Sequence, residues 1–178
     1  MELKTLNEIE IISAPHSKIS EVDFENLTFG NVFTDHMLVC DYVDGAWQKP
    51  VIEPYAPFMI DPSAKVFHYG QAIFEGMKAY KDEQDDVWLF RPDENYHRFN
   101  KSATRMAMPE VPEDIFLGGL HRLLEIEKEW VKKGKGNTLY IRPFMIATGH
   151  GVIAAPSQEY RFMIILSPAR AYYSGEVK

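Results

Sequence analysis

The sequence has little of what disulfide-stabilised or membrane-spanning proteins require. It has a single cysteine, Cys40, so no disulfide can form within the chain and a cysteine-based metal site lacks ligands. No segment approaches the roughly 20 apolar residues of a membrane-spanning helix. The N-terminal MELKTLNEIEIISAPHSKIS contains acidic residues and no long apolar stretch, unlike a secretory signal or a transit peptide. We therefore expect a reducing, cytoplasmic location.

The chain also has no large block of positive charge of the kind that binds nucleic acid. Its 19 Lys and Arg residues are outnumbered by 26 Asp and Glu residues, which gives a formal net charge of −7. The short run KKGKG at 132–136 is typical of a basic helix end followed by a glycine stop. The six His residues are scattered without metal-ligand spacing. We therefore expect no nucleic-acid partner, no membrane partner and no metal site.

The composition and patterning indicate one folded domain. Hydrophobic residues make up 46% of the 178 residues, which is enough to fill a core. Alternation and apolar β-rich runs predict strands at 36–43, 76–81, 86–91, 138–147 and 160–167. Helical spacing and end signals predict helices at 70–75, 92–106 and 113–133. Strand pairs punctuated by helices predict the α+β class, with two layers and a mostly antiparallel sheet packed with helices.

Four sequence blocks in a fixed order give the strongest functional signal. They are Phe29-Gly30 followed by FTDHM, FHYGQAIFEGMKAY at 67–80, RPDENYHRFNKSA at 91–103 and LYIRPF at 139–144. Together they resemble the N-terminal half of branched-chain amino acid aminotransferases, which are fold-type-IV pyridoxal phosphate enzymes. The resemblance covers roughly residues 24–178, and several ordered blocks are more specific than one short motif.

This resemblance implies the small domain of an amino-group transferase. The whole enzyme is expected to move the amino group of leucine, isoleucine or valine to 2-oxoglutarate with pyridoxal 5′-phosphate, as a homodimer or higher homo-oligomer. Its small-molecule partners are then these amino acids, their 2-oxo acids, glutamate and 2-oxoglutarate, with synthesis and breakdown both open. We accordingly divide the chain into an extended lead-in (1–28), the small α+β domain (29–170) and the start of an interdomain linker (171–178).

The resemblance assigns no catalytic residue within the chain. The sequence ends at Lys178, before the position at which the resembling family has its Schiff-base lysine. The large cofactor domain is therefore expected elsewhere, and the isolated chain is expected to be inactive. Lys78 is the best internal candidate for that lysine. Such a lysine needs burial or a cationic neighbour, and the strand neighbours Met77 and Tyr80 favour neither.

Three polar residues are candidates for binding the anionic groups of cofactor and substrate. The spacing around Arg98 alone favours a solvated helix arginine, but the resemblance implies that it binds the cofactor phosphate. Tyr140 and Arg142 alternate with apolar residues, so they share one face of a strand and form a carboxylate receptor. The resemblance implies that Tyr140 helps to hold the α-carboxylate and that Arg142 receives the distal carboxylate of glutamate. Glu75 is interpreted as a structural hydrogen-bonding residue.

The resemblance also implies a set of apolar and aromatic substrate-binding residues: Phe29, Tyr69, Phe74, Val152, Ala154 and Tyr172. Taken singly, an aromatic among them is more often an ordinary core residue. In the resembling family Tyr69 reaches across the dimer interface, and the loop with Val152 and Ala154 covers the substrate of the neighbouring subunit. His150 in that loop has no assigned role. Because an apolar pocket distinguishes aliphatic side chains by only ~1–3 kcal/mol per methylene, we expect leucine, isoleucine and valine all to be accepted.

Two alternatives stay open at this point. The first is a related fold-type-IV enzyme, a D-amino acid aminotransferase or an aminodeoxychorismate lyase, although the FTDHM, HYGQAIFEG and LYIRPF blocks favour the branched-chain group. The second is a non-catalytic binding or oligomerisation module. It rests on the missing lysine, the missing acid for the pyridine nitrogen and the missing phosphate loop.

Overall fold

The computed structural model describes residues 9–170, and their main feature is a single sheet of nine strands. In chain order the strands are β1 (Glu10–Ile11), β2 (His36–Val43), β3 (Ala46–Trp47), β4 (Val51–Pro54), β5 (Ala72–Phe74), β6 (Met77–Lys81), β7 (Val87–Leu89), β8 (Thr138–Ala147) and β9 (Tyr160–Ala169). Their spatial order is β1-β4-β2-β9-β8-β6-β7, with β3 paired to β2 and β5 paired to β8. All pairings are antiparallel except that of β1 with β4.

Within residues 9–170 the α-helices are α1 (Lys65–Tyr69), α2 (Pro92–Arg105) and α3 (Gly119–Ile126). A π-helical turn at Asp114–Gly118 leads directly into α3, and 3₁₀ turns lie at Ile19–Glu21 and Lys128–Trp130. Helices α2 and α3 and the π-helical turn between them pack into the main core on one face of this sheet. No helix in the described part of the chain is long and apolar enough to cross a membrane. The predicted α+β class is confirmed.

Three aromatic rings join the helices to the sheet. Phe99 of α2, Phe116 of the π-helical turn and Phe162 of β9 are all fully buried. Their ring centroids lie 5.3 Å (Phe99 to Phe116), 5.5 Å (Phe99 to Phe162) and 5.5 Å (Phe116 to Phe162) apart. These are the separations at which aromatic pairs attract beyond simple area burial. The triad lies within the main core cluster, which also includes Leu38 and Ile141 from the sheet.

A buried polar cluster fastens the segment before β2 to the domain. Nδ1 of His36 lies 2.5 Å from Oε1 of Glu127, and its Nε2 accepts a hydrogen bond from the Ala14 N–H at 2.8 Å. Asp35 Oδ1 accepts another from the Lys18 N–H at 2.8 Å. Because Nε2 of His36 is an acceptor here, the hydrogen bond to Glu127 uses a proton on Nδ1. The segment is therefore attached through specific buried acceptors.

Most of the predicted strands are found where the patterning placed them. β2 and β8 occupy 36–43 and 138–147, and the predicted pair at 76–81 and 86–91 corresponds to β6 and β7. β9 runs two residues further than predicted, to Ala169, because its pairing with β8 continues there. The helix predicted at 92–106 is α2, which ends one residue earlier at Arg105.

The prediction of a helix at 70–75 is wrong. The helix lies earlier, in α1, and Gly70 ends it with a left-handed conformation (φ 61°) and an N–H donated to the Val66 carbonyl. Ala72–Phe74 then pairs with β8 as β5. The shift follows from tertiary pairing, since a short apolar run has no intrinsic preference strong enough to resist a neighbouring strand.

The long helix predicted at 113–133 is interrupted. It consists of the π-helical turn, α3 and a final 3₁₀ turn, and Ile126 is only partly buried. Gly119 begins α3 against the Leu38 side chain of β2, since a Cβ there would lie 2.7 Å from Leu38 Cδ1. This glycine lets the helix pack directly on the sheet.

We predict that Phe162→Ala destabilises the domain far more than Phe90→Ala. Phe162 is fully buried, whereas Phe90 is 77% exposed. Truncation of a buried phenylalanine leaves a cavity and costs about 3–5 kcal/mol, while truncation of an exposed one costs little. Urea unfolding of both variants measures the difference. Equal losses of unfolding free energy would show that the aromatic triad does not support the core.

Candidate functional site

The predicted carboxylate receptor lies on the sheet face that the helices leave uncovered. Along β8, Leu139 and Ile141 are fully buried in the main core, while the alternating residues Tyr140 and Arg142 are half-buried on the other face. A smaller apolar cluster, which includes Met163, also lies outside the main core. The pleat of one strand therefore separates the core from the candidate site.

The structure brings four of the predicted residues together on this face. Arg142 donates hydrogen bonds to Tyr140 Oη from Nη2 at 2.7 Å and from Nε at 3.2 Å. Its guanidinium lies 4.4 Å from the centre of the Phe74 ring, in a cation–π arrangement. The Phe29 ring packs edge-on against Tyr140 with centroids 5.0 Å apart. A guanidinium, a phenol and two aromatic rings thus form one cluster on this face, which we call the candidate receptor.

Arg98 is held by a buried carboxylate. Its Nε and Nη2 each donate to an oxygen of Glu75 at 2.6 Å, a bidentate ion pair. The Arg98 side chain is 67% exposed, whereas that of Glu75 is 6% exposed. Asn95 Nδ2 donates to Oε2 of Glu75 at 2.8 Å. Although burial alone raises the pKa of the Glu75 carboxyl, hydrogen bonds from Arg98 and Asn95 hold that pKa below its ordinary value.

Arg98 faces a cleft in which basic side chains outnumber acidic ones. The cleft is lined by Phe90, Arg91, Glu94, Asn95, His97, Arg98 and Lys101. Glu94 is engaged by Arg91 at 2.8 Å, so its charge is largely matched locally. Arg98 is likewise paired with Glu75, so among the described residues Lys101 is the lining cation that forms no salt bridge.

Three consecutive residues, the last of β5 and the two that connect it to β6, contact all three polar candidates. Phe74 lies under Arg142, Glu75 binds Arg98, and a Cβ at Gly76 would lie 2.4 Å from Tyr140 Oη. The structure therefore places Glu75, which the sequence analysis interpreted as a structural hydrogen-bonding residue, and Gly76 at the candidate site. No spacing signal links Glu75 to a residue 23 positions later on a helix. Only the tertiary structure brings Glu75 and Arg98 together.

The remaining described candidates form a second group at the end of β8. Tyr69 Oη donates a hydrogen bond to the Val152 carbonyl. Ala154 lines a shallow pocket with Tyr69, Met106 and three other residues. The Val152 and Ala154 side chains are exposed. Tyr172, also predicted to bind substrate, lies outside the described residues.

Metal ligation has no support in the described part of the chain. Among residues 9–170, no three His, Cys, Asp or Glu residues lie close enough to hold a metal ion. Cys40 is a buried free thiol, and burial raises its pKa to about 12. Such a thiol is an inert core residue rather than a nucleophile or ligand.

Comparison with solved structures identifies the fold. The crystal structure of the branched-chain aminotransferase from Thermoproteus uzoniensis with norvaline matches with a TM-score of 0.54 and 19% identity, over 75% of this chain and 41% of that chain. The Escherichia coli branched-chain amino acid aminotransferase matches with a TM-score of 0.52 and 20% identity, over 77% of this chain and 42% of that chain. At these identities the likeness establishes the α+β fold alone.

Comparison of sequences identifies the relatives. Branched-chain-amino-acid transaminase 1 of Bacillus subtilis (strain 168) is 52% identical over 155 residues, which is 86% of this chain and 44% of that protein. Branched-chain-amino-acid aminotransferase 2 of the same strain is 47% identical over 163 residues, which is 91% of this chain and 45% of that protein. No protein-family model matches the chain. The resemblance to branched-chain aminotransferases is confirmed, and the chain spans less than half the length of these relatives.

We predict that Glu75→Gln destabilises the domain by about 1–3 kcal/mol at neutral pH, the range for loss of a charge-assisted hydrogen bond. The folded-state pKa of Glu75 is lowered from its ordinary 4.5, so its contribution is fully present above that pH. As pH falls through the lowered pKa, this contribution to stability is lost. The unfolding free energies of wild type and Glu75→Gln should therefore converge. Urea unfolding from pH 7 down to about pH 3 measures this.

The exposed Glu94 is the matched control, because it pairs with Arg91 near the same cleft. Glu94→Gln should change the unfolding free energy by less than about 1 kcal/mol, as expected for a surface ion pair. A difference between wild type and Glu75→Gln that stays constant with pH would contradict the ion-pair explanation.

Proposed function

We propose that this chain is the N-terminal part of a branched-chain amino acid aminotransferase that moves the amino group of leucine, isoleucine or valine to 2-oxoglutarate with pyridoxal 5′-phosphate. The observation that carries the proposal is the Tyr140–Arg142 pair between Phe29 and Phe74 on the open sheet face. This receptor combines a carboxylate-binding guanidinium with apolar walls. A substrate pair that alternates between an aliphatic and an acidic side chain requires that combination.

The cleft at Arg98 fits the phosphate of the proposed cofactor. A further solved structure of similar fold, also a branched-chain amino acid aminotransferase, contains pyridoxamine 5′-phosphate. Glu75 occupies Nε and Nη2 of Arg98, which leaves Nη1 for a phosphate oxygen. Arg91, His97 and Lys101 line the same cleft. When bound, the cofactor supplies an electron sink for the bonds at the substrate α-carbon.

Tyr140 and Arg142 divide the work of carboxylate recognition. We assign the substrate α-carboxylate to Tyr140 and the distal carboxylate of glutamate to Arg142, whose guanidinium provides a planar fork. Arg142 Nη1 has no hydrogen-bond partner among residues 9–170 and is available to a carboxylate. With an aliphatic side chain in the pocket, the guanidinium keeps its contacts with Phe74 and Tyr140, and the aromatic walls contact the substrate.

The second group of residues belongs to the same proposal. We infer that Tyr69, Val152 and Ala154 act at the site of a neighbouring subunit in a homodimer or higher homo-oligomer. Their exposure in the single chain supports this. Tyr172, in the stretch 171–178 that we assign to the interdomain linker, completes the predicted set. The small domain at 29–170 after a lead-in at 1–28 stays part of the proposal, as does a reducing, cytoplasmic location, which the free thiol of Cys40 supports.

We predict that Arg142→Ala in the full-length protein lowers kcat/KM for glutamate about 100-fold and for leucine less than about 10-fold. Only glutamate presents a second carboxylate, and an unmet buried polar contact is penalised more strongly than a lost apolar one. Steady-state transamination with each donor measures both values. Arg161→Ala is the control, because Arg161 pairs with Asp41 at 2.7 Å, outside the receptor.

Two outcomes would overturn these assignments. Equal losses of kcat/KM for leucine and glutamate in Arg142→Ala would remove the argument that this residue recognises the second carboxylate. Activity of the wild-type full-length protein with D-alanine, and none with L-leucine, would reject the branched-chain assignment itself.

A further inference from the structure

We propose that Lys65 is a positioning residue for the apolar part of the substrate pocket. Its ammonium group fixes the loop at 149–156 and thereby sets where Val152 and Ala154 present their side chains. This inference rests on the proposed function, because it concerns the loop that is assigned there to the neighbouring subunit's substrate. Neither the sequence blocks nor the receptor on the open sheet face involves Lys65.

Lys65 contacts the loop near both of its ends. The side chain is buried, with the residue only 8% exposed, and Nζ donates to the carbonyls of Ile153 at 3.0 Å and Ala155 at 2.6 Å. The backbone N–H of Lys65 donates to the Gly149 carbonyl at 3.1 Å. One residue at the start of α1 therefore binds the first part and the last part of the loop.

The loop carbonyls are the partners that make burial of this ammonium group possible. Lysine is rarely buried, because loss of hydration of its charge is costly unless the group is fully hydrogen-bonded. Within residues 9–170, no carboxylate forms a salt bridge with Lys65. The ammonium group is thus compensated by the two carbonyls, and the loop conformation and the burial of Lys65 depend on each other.

The two carbonyls flank Ala154, so their hydrogen bonds fix the backbone on both sides of a proposed substrate-binding residue. The Ala154 side chain lines the shallow pocket with Tyr69 and Met106. Other contacts from the same region hold different parts of the loop: Ser63 Oγ accepts from the Gly151 N–H at 3.1 Å, and Tyr69 Oη donates to the Val152 carbonyl. The Lys65 ammonium group is the side-chain donor that reaches the carbonyls on either side of Ala154.

Loss of the Lys65 contacts should affect leucine more than glutamate. If Val152 and Ala154 contact the aliphatic side chain of a substrate, a loosened loop weakens the binding of leucine. Glutamate has its distal carboxylate on Arg142, which lies in the other group of residues, so its binding depends less on the loop. Loss of the Lys65 ammonium group should therefore separate the two substrates by KM, while a general loss of stability would affect both.

The test uses the full-length protein with Lys65→Met, which keeps a long apolar side chain and removes the donors. Lys49→Met is the control, because Lys49 is exposed. We expect the peptide covering 149–157 to exchange amide hydrogen at least about tenfold faster in Lys65→Met without any ligand. We expect the KM for leucine to rise about tenfold, with kcat and the KM for glutamate changed less than about twofold.

Each outcome decides the inference. Unchanged exchange in the loop, or equal rises in KM for leucine and glutamate, overturns the role of Lys65. If Lys65→Met does not fold, Lys65→Leu, which also lacks side-chain donors, is judged by the same criteria. If the wild-type protein does not transaminate leucine at all, the proposed function fails and the substrate part of this inference fails with it. The exchange measurement still decides separately whether Lys65 holds the loop.

Discussion

The register between β8 and β9 is the constraint on which both the core and the candidate site depend. The two strands pair over ten consecutive positions, from Thr138 with Ala169 to Ala147 with Tyr160. Since side chains alternate along a strand, this register turns Leu139 and Ile141 towards the helices and leaves Tyr140 and Arg142 on the open face. A slip of one residue would bury Tyr140 and Arg142 and expose the core residues. Burial of the core therefore also determines which side chains lie on the open face.

The tripeptide Phe74-Glu75-Gly76 positions the polar residues of the candidate site. Each residue acts differently: an aromatic face, a buried carboxylate and a missing Cβ. The connector is itself fixed, because β5 and β6 both pair with β8 and the Glu75 N–H donates to the Pro143 carbonyl at 2.9 Å. The candidate phosphate and carboxylate sites therefore share one short segment of backbone, so a change in this segment disturbs both together.

The sequence predicted the parts of the fold whose signal is local. β-rich apolar runs located β2 and β8, and helical spacing located α2, because these signals come from residues that are close in sequence. The prediction at 70–75 failed because pairing with β8 outweighs the preference of a short segment. The ordered blocks supplied the candidate residues, and the resemblance already set Tyr69, Val152 and Ala154 apart as residues of a neighbouring subunit's site. The contacts of Glu75 with Arg98 and of Lys65 with Ile153 are 23 and 88 residues apart in sequence, and no periodic pattern indicates them.

The open face has a consequence for how this protein can change over time. Phe29 and Phe74 are 50% and 63% exposed in the single chain, so replacing either one removes little buried area. Such replacements alter the walls of the receptor while the aromatic triad and the main core stay intact. Under the proposed function, substrate preference can therefore change through mutations that are nearly neutral for folding. Substitutions on the open face cost little stability, whereas substitutions on the core face are constrained by packing.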